Sequence, residues 1–245
     1  MTEQYHMNSH EGTYTKEFEA KVEATFPGII ELEKTAFYPL GGGQPADIGT
    51  ISWNDGEATV TDVRKKNRIR HIVEGDLPEV GDLVNGNIDW SRRYSHMRMH
   101  TSQHLVSAVV NEVYGSDTVG NQIGQEKSRI DFKPLKINQS ELNEIEDKVN
   151  DYISKDLEVT ISEELRSNLE NNPDIRSSMS SGLWKMLPKS VTQLRVITIG
   201  DIDVCPCAGT HVKSLKEIGN VSFIKRDNKG AEKLRLTYNL SNIDS

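Results

Sequence analysis

The feature that most constrains the fold is a change in the hydrophobic pattern near residue 90. From Phe18 to Trp90 the chain consists of short β-type runs separated by turn-forming segments such as Asn-Asp-Gly and Pro-Glu-Val-Gly-Asp. After Asp89 to Ser91, which offer N-cap side chains, the pattern becomes helical and continues to Tyr114, where Gly115 ends it. This change predicts a small β-barrel or sandwich, followed by a segment that begins with a long helix.

The remainder of the chain mixes helical and strand patterns. Behind the cap candidates Asn138 and Ser140, apolar residues recur at helical spacing until about Asp156. The segment Asn171 to Gly182 is irregular and rich in Ser, Asn and Pro. We therefore expect an α+β protein, with a β-barrel-like domain over residues 1–90 and an α+β domain over 91–245. Strands are predicted at Glu158 to Ser162, Val191 to Ile199, Val221 to Lys225 and Leu234 to Tyr238.

Composition excludes several classes of protein. Apolar residues make up 35% and charged residues 27% of the 245 residues, which is typical of a globular protein with a hydrophobic core. No run approaches the ~18 apolar residues that span a membrane. Residues 1–12 are polar and lack the apolar segment of a secretory signal, so the cytoplasm is the expected compartment.

The net charge of −8 argues at first against a nucleic-acid partner, because phosphate binding depends on Lys and Arg. The acidity belongs to residues 1–90, where 8 basic residues face 16 acidic ones, while the rest of the chain holds 21 of each. Basic clusters occur at Arg64 to Arg70, Arg92 to Arg98 and Lys225 to Arg235. Solvated surface and phosphate binding explain such clusters equally well.

Two pairs of potential metal ligands stand out. His100 and His104 are one helical turn apart, so both imidazoles project from one face of the first predicted helix. That spacing alone is more typical of surface or packing residues. Cys207 and His211, however, flank a glycine-containing turn, and a thiolate beside imidazoles favours zinc. We therefore predict a zinc ion held by these four residues, with Cys205 as an alternative ligand.

The residue types leave the role of the zinc open. Four protein ligands are typical of a structural ion, whereas catalytic sites usually keep one position for water. A zincin-type protease is disfavoured, because its helix carries Glu directly after the first His and this chain has Thr101 there.

Three motifs, in order along the chain, carry a resemblance to the AlaX family of alanyl-tRNA editing proteins, which share an editing domain with alanyl-tRNA synthetase. The first runs from Thr35 through Phe-Tyr-Pro-Leu-Gly-Gly-Gly-Gln-Pro to Asp47 and Gly49. The second is His100-x3-His104, and the third is Cys-Ala-Gly-Thr-His at 207–211. The similarity also includes 118–124 and 129–132, and it spans most of residues 15–238.

The resemblance implies an N-terminal β-barrel domain followed by an α+β zinc-containing editing domain. It implies hydrolysis of mischarged tRNA(Ala), chiefly the seryl form with the glycyl form as a second substrate. The chain has the length of the medium-sized members, so it is expected to act in trans, and no stable protein partner is evident. The zinc ligands implied are His100, His104, Cys207 and His211.

Site residues follow from the matched motifs. Thr35 and Gln44 are the candidate catalytic residues, with the Thr35 hydroxyl available to bond a serine side chain. Candidate substrate contacts are Gly41, Gly42, Gly43 and Gln122. The candidate tRNA contacts do not come from the motifs: Lys225, Arg226, Lys229 and Arg235 lie near the predicted C-terminal strands, where they could reach phosphates. An ordinary strand threonine and a tight interdomain turn are the structural alternatives for Thr35 and the glycines.

The chain departs from the family pattern at two places. Ala208-Gly209 replaces Gly-Gly, which is a small change, and Asn121-Gln122 replaces a more apolar pair, which bears on substrate preference. Two other functions remain open. One is a non-catalytic zinc-stabilised module that binds RNA or protein, and the other is editing of threonyl-type charging errors, although the Gly41–Gln44 segment favours the alanyl branch.

Overall fold

The computed structural model describes residues 2–170, 172 and 189–242, and the chain divides into two compact units, Met1–His96 and Met97–Ser245. The expected α+β class and the β-barrel are confirmed. The irregular segment predicted at Asn171 to Gly182 lies outside the described residues, apart from Asn172.

The first unit contains a closed six-stranded barrel in the order β2-β3-β7-β6-β5-β8. Its strands alternate exposed and buried side chains, as in the pattern of β8, so one face of each strand fills the barrel core. Two short helices and a two-stranded pairing of β1 with β4 precede or flank the barrel. The elements are β1 (Glu3–Gln4), α1 (Tyr5–Asn8), α2 (His10–Thr13), β2 (Glu17–Phe26), β3 (Ile29–Leu32), β4 (Lys34–Thr35), β5 (Gly49–Trp53), β6 (Gly56–Lys65), β7 (Ile69–Gly75) and β8 (Leu83–Ile88).

A fully buried ion pair lies in this unit, between Arg93 and Asp47, both 0% exposed. The guanidinium also donates to the carbonyl oxygens of Thr13, at 2.8 Å, and Ala36. The Asp47 carboxylate accepts the backbone N–H of Tyr38 at 2.6 Å. Because every charge here is paired and hydrogen-bonded, the ions can be tolerated in the interior.

The second unit contains two antiparallel sheets within the described ranges, in the orders β14-β15-β10-β9 and β11-β12-β13. All four strands predicted in this half are present, whereas β9 and β13 were not predicted. The elements from residue 90 onward are α3 (Trp90–Tyr114), which begins in the first unit, β9 (Asp117–Gln122), β10 (Ser128–Lys133), α4 (Gln139–Ser154), β11 (Val159–Leu165), α5 (Arg166–Glu170), β12 (Gln193–Ile199), β13 (Asp203–Pro206), a 3-10 turn (Leu215–Ile218), β14 (Val221–Asn228) and β15 (Leu234–Leu240).

Helix α4 begins with a capping box. The Asn138 side chain accepts the Glu141 N–H at 3.1 Å, and the Glu141 carboxylate accepts the Asn138 N–H at 2.6 Å. The helix buries Leu142, Ile145 and Val149, so the predicted cap and apolar face are both confirmed.

Helix α3 has an unusual composition for a buried helix. Every residue from Met99 to Val110 is buried, yet this stretch includes two histidines, a glutamine, a threonine and two serines. Of its predicted apolar face, Met97, Leu105 and Val109 are buried, but Val113 is 48% exposed because it lies near the end of the helix. None of the described helices combines the length and apolar character that a bilayer crossing requires.

The buried ion pair yields a prediction about stability. Asp47→Ala leaves the Arg93 guanidinium in the interior without a carboxylate, so the free energy of unfolding should fall by about 3–5 kcal/mol. Asp62→Ala is the matched control, because its partner Arg64 is 48% exposed and such a pair contributes about 0–1 kcal/mol. Urea denaturation measures both changes. Equal losses in the two variants would contradict the assigned importance of the buried pair.

Candidate metal centre

Four side chains of the second unit converge on one point. His100 and His104 come from α3, while Cys207 and His211 follow β13, and their ligand atoms all lie within 4.8 Å of one another. The Cys207 Sγ is 3.5 Å from His100 Nε2 and 3.4 Å from His211 Nε2, close to the roughly 3.6 Å that separates S and N around a tetrahedral zinc ion. The sequence prediction that these four residues form one group therefore agrees with the geometry.

The chemistry of the donors fits zinc. The three imidazoles are at most 3% exposed, and the thiol is half-buried. One sulfur and three nitrogens form a mixed soft and borderline donor set, which suits zinc better than magnesium or calcium. The identity of a bound ion is a proposal that rests on this fit.

Neighbouring groups orient two of the imidazoles. His104 Nδ1 lies 3.1 Å from the buried Asp203 carboxylate, so that nitrogen donates its proton and leaves Nε2 to face the cluster. His211 Nδ1 lies 3.1 Å from the Thr101 hydroxyl, which also accepts the Val212 N–H at 3.2 Å. Thr101, which stands where a zincin has its glutamate, thus positions a histidine.

The loop that carries Cys207 is held by Arg195 of β12. The guanidinium donates to the carbonyl oxygens of Cys207, at 2.7 Å, and Gly209, at 2.9 Å. The Gly209 N–H points at the Cys207 sulfur at 3.3 Å, a contact that favours the thiolate. Arg195 was missed in the sequence, although a cation within an otherwise apolar strand was a signal for it.

The electrostatics favour a thiolate beside a neutral imidazole. Burial raises the pKa of the Cys207 thiol, but His100 and His211 outweigh that effect and hold its pKa well below the usual value. Burial, and then the charge of His100, hold the pKa of His211 well below its usual value. Burial lowers the pKa of His104, but its contacts with Asp203 and Cys207 raise it by more. A divalent cation requires deprotonated ligands. The Cys207 thiolate and the neutral His211 are therefore in the protonation state that can bind a cation.

Cys205 belongs to a second group of potential ligands that shares His104 with the first. Its sulfur, a nitrogen of His104 and an oxygen of Asp203 lie within 4.8 Å of one another, and the cysteine is 8% exposed. Cys205 as an alternative ligand stays a prediction.

A chain of polar side chains extends from the same face of α3. Gln103 Nε2 donates to the Ser107 hydroxyl at 2.8 Å, and Ser107 also contacts Thr118 Oγ1 at 2.8 Å. Asn121 Nδ2 donates to Gln103 Oε1 at 3.3 Å. Gln122, the predicted substrate contact, is exposed on the opposite face of β9, so its neighbour Asn121 is the side chain that reaches α3.

In the first unit, the glycine-rich motif forms a tight turn. Gly42 and Gly43 both have positive φ, 57° and 83°, as in a type I′ turn, and the N–H of Gln44 donates to Gly41 O at 2.8 Å. The Tyr38 hydroxyl donates to the same carbonyl at 3.0 Å. Two adjacent residues with positive φ explain why glycine is needed at Gly42 and Gly43. The side chain of Gln44, the next residue, is fully buried.

Thr35 is also fully buried and belongs to a hydrogen-bond network. His71 Nδ1 lies 3.0 Å from Ile30 O and carries the proton, and burial lowers the pKa of His71 to about 4. The Thr35 hydroxyl therefore donates to His71 Nε2 at 2.9 Å, and it accepts the Phe37 N–H at 3.1 Å. Because its proton is already donated to His71, the Thr35 hydroxyl can only accept a hydrogen bond from a ligand.

The four predicted tRNA contacts lie on the β14–β15 hairpin. The Arg235 guanidinium makes a bidentate pair with Asp131, and Arg226 donates to the carbonyl oxygen of Ile137. Lys225 and Lys229 lie 2.9 and 3.8 Å from Asp227. Contact of these four residues with tRNA stays a prediction.

The carboxylate behind His104 yields a second prediction. Asp203→Asn removes the charge that orients the imidazole, and the affinity for zinc should fall about 10–100-fold. Competition with a chromophoric chelator measures that affinity. Asp201→Asn, in the exposed turn before β13, is the control and should match the wild type. Unchanged affinity in Asp203→Asn would mean that the carboxylate does not support the ligand.

Two models of known protein families match the chain, one in each unit. Residues 3–92 match the family described as tRNA synthetases class II (A), and residues 194–237 match the threonyl and alanyl tRNA synthetase second additional domain. The second match includes Cys207 and His211.

Relatives extend the similarity over nearly the whole chain. The alanyl-tRNA editing protein AlaX-M of Methanosarcina barkeri is 37% identical over 93% of this chain and 95% of the relative. The alanyl-tRNA editing protein AlaX-L of Pyrococcus horikoshii is 36% identical over 85% of this chain and 50% of its own length. The alanine–tRNA ligase of Methanobrevibacter smithii is 35% identical over 94% of this chain, which corresponds to 26% of the ligase. This chain therefore belongs to the alanyl-tRNA editing protein family.

Proposed function

We propose that this chain is a zinc-dependent aminoacyl-tRNA deacylase that acts in trans on tRNA(Ala) charged with serine, and also on the glycyl form. The observation that carries the proposal is the convergence of one thiol and three imidazoles in a chain whose relatives are alanyl-tRNA editing proteins. Residues 1–90 would form the barrel domain and residues 91–245 the editing domain, and the cytoplasm, where tRNA is charged, is the expected compartment.

The need for such an enzyme follows from the small difference between the competing amino acids. A synthetase pocket for alanine gains only about 1–3 kcal/mol of discrimination against glycine from one methyl group, and it rejects the added hydroxyl of serine poorly. A second site that hydrolyses the wrong ester supplies the missing selectivity. Relatives that are nearly as long as this chain, such as AlaX-M, support action on a separate tRNA.

Each residue around the metal centre has a defined task in the proposal. Zinc bound by His100, His104, Cys207 and His211 would polarise the ester or supply a water of lowered pKa. Asp203 orients His104, and Thr101 orients His211. Because Arg195 fixes the loop through two carbonyl contacts, the thiolate is already in place before substrate arrives.

The glycine-rich turn and its neighbours supply the candidate catalytic and substrate contacts. Gly41, Gly42 and Gly43 would let the backbone approach the substrate without interference from side chains. Thr35 would accept a hydrogen bond from the serine hydroxyl, because its own proton is already donated to His71. Gln44 would contribute its amide, and Gln122 remains a further proposed contact.

The tRNA itself would be held by cations of the second unit. These contacts would come from among the hairpin cations Lys225, Arg226, Lys229 and Arg235, since phosphate binding depends on such residues. The acidic residues concentrated in positions 1–90 would then not oppose binding at this hairpin.

Two alternatives have specific support. A non-catalytic zinc-stabilised RNA-binding module is consistent with a cluster of four protein ligands, which is typical of structural zinc. Editing of threonyl-type errors is consistent with the matched domain, whose description includes threonyl as well as alanyl synthetases. The named editing relatives favour the alanyl function.

The experiment that tests the proposal compares Ser-, Gly- and Ala-tRNA(Ala) by loss of the labelled amino acid. We expect rapid hydrolysis of the seryl ester, slower hydrolysis of the glycyl ester and survival of the alanyl ester. Removal of zinc, or His100→Ala with His104→Ala, should abolish the activity, while Cys205→Ser should retain most of it.

Three results would contradict the proposal. Zinc-containing protein that hydrolyses none of the three esters would support the non-catalytic module. Preference for Ser-tRNA(Thr) would support the threonyl alternative. Hydrolysis that persists in the zinc-free protein would remove the metal from the reaction.

A further inference from the structure

We infer that the exposed face of the β14-β15-β10-β9 sheet binds the phosphates of tRNA along one row of side chains that crosses all four strands. The row consists of Gln122, Arg129, Thr237 and Lys225. The inference rests on the proposed function for the identity of the nucleic acid. Compared with the hairpin cations proposed above, the row adds residues of β9 and β10, keeps Lys225, and leaves out Arg226 and Arg235.

The register of the sheet defines the row. Gln122 of β9 pairs with Arg129 of β10, Arg129 pairs with Thr237 of β15, and Thr237 pairs with Lys225 of β14. Residues paired in register project from the same face of a sheet. At about 4.8 Å between strands, the three gaps give the row a length of about 14 Å. This length suits contact with more than one phosphate of a strand.

The opposite face of the sheet is occupied by the protein itself. Ile130 and Leu236, which alternate with members of the row, are 0% exposed. Helix α4 packs against β14, where Glu146 accepts the Phe223 N–H at 2.6 Å. The row faces away from this core: Gln122 and Arg129 are exposed, the Lys225 side chain is 64% exposed, and Thr237 is half-buried. A macromolecule can therefore reach all four side chains.

The charge of this face is complementary to RNA, although the whole chain is acidic. The next row contains two carboxylates, Asp131 and Asp227. Each faces two cations: Arg235 and Lys233 contact Asp131, and Lys225 and Lys229 contact Asp227. With Arg129, these groups amount to five cations against two carboxylates, the pair of Lys133 and Asp117 adds one charge of each sign to the face, and the row itself has no acidic member.

The contacts of the individual cations decide which of them can bind phosphate. Arg235 forms two hydrogen bonds with Asp131, and they hold the pKa of that carboxyl at about 2, so this guanidinium is committed to an internal pair. Arg226 pairs with the buried Leu236 and donates to Ile137 O on the covered side. Lys225 has an exposed ion pair worth only about 0–1 kcal/mol, so a phosphate can replace its partner. Among the described residues, no ion pair engages Arg129, which can form a bidentate contact.

Direct binding of uncharged tRNA to the full-length protein tests the row independently of hydrolysis. Arg129→Gln with Lys225→Gln should raise the Kd about tenfold or more. The slope of log Kd against log salt should become shallower by roughly one unit per lost phosphate contact. Gln122→Glu with Thr237→Glu, which places two carboxylates in the row, should weaken binding further. Fluorescence anisotropy at several salt concentrations gives both quantities.

The matched control is Lys148→Gln with Lys155→Gln, which removes two positive charges from α4 and its C-cap, the helix that packs against β14. It should bind tRNA within about twofold of the wild type. Zinc content and thermal melting, measured for every variant, separate loss of contact from loss of fold.

Two results would overturn the inference. Wild-type Kd and salt slope in the folded Arg129→Gln, Lys225→Gln variant would place the tRNA elsewhere. Equal weakening by the α4 control would show a general effect of charge rather than a row. The proposed function fails separately: if the row variants lose tRNA binding but wild-type protein leaves Ser-tRNA(Ala) intact, the surface stands and the deacylase does not. If the wild-type protein hydrolyses Ser-tRNA(Ala) while the row variants bind tRNA as the wild type does, the deacylase stands and the row does not.

Discussion

The burial of polar side chains in the middle of α3 is the constraint on which the rest of the second unit depends. A buried polar group costs free energy unless it has a partner, so each of these side chains requires a group from another element. Ser102 meets the Tyr238 hydroxyl of β15 at 3.0 Å, and Thr101 meets His211. His100 and His104 meet Cys207 and His211. The partners of one helix thus define where the loop after β13 and the strand β15 must lie.

The same need for partners applies to the side chains and loop around the candidate metal centre. Asp203 begins β13, and its carboxylate reaches His104, while Arg195 on the neighbouring strand β12 holds the carbonyl oxygens around Cys207. A ligand loop without such support would have to be ordered by the metal or substrate, at a cost in binding free energy. The contacts of these two residues instead fix the loop through the protein fold.

The sequence predicts those parts of the fold that depend on local pattern. The capping box at Asn138 and the apolar spacing behind it are sufficient to predict α4, and the His-x3-His spacing is sufficient to place two imidazoles on one face of α3. The four candidate ligands, His100, His104, Cys207 and His211, lie close together, in agreement with the interpretation of their spacings as one group.

The parts that the sequence does not predict depend on long-range register. Strand β9 was not predicted because glycine and asparagine are poor strand formers. The faces of Asn121 and Gln122 were not predicted either, because a shift of the strand register by one residue exchanges the two side chains between the faces of the sheet. Arg129 is distant from Lys225 in the sequence and joins it in one row only through the pairing of β10 with β15 and of β15 with β14. A cation within the strand marks Arg195 as unusual, but the sequence does not show its partners, because they lie in a loop more than ten residues away.

The most direct test of the metal centre is X-ray absorption at the zinc edge of the purified protein. We expect one sulfur at about 2.3 Å and imidazole nitrogens at about 2.0–2.1 Å from the zinc ion. Cys207→Ser should remove the sulfur signal, and Cys205→Ser should leave it intact. Two sulfurs in the wild type, or loss of the single sulfur in Cys205→Ser, would contradict a centre built from His100, His104, Cys207 and His211.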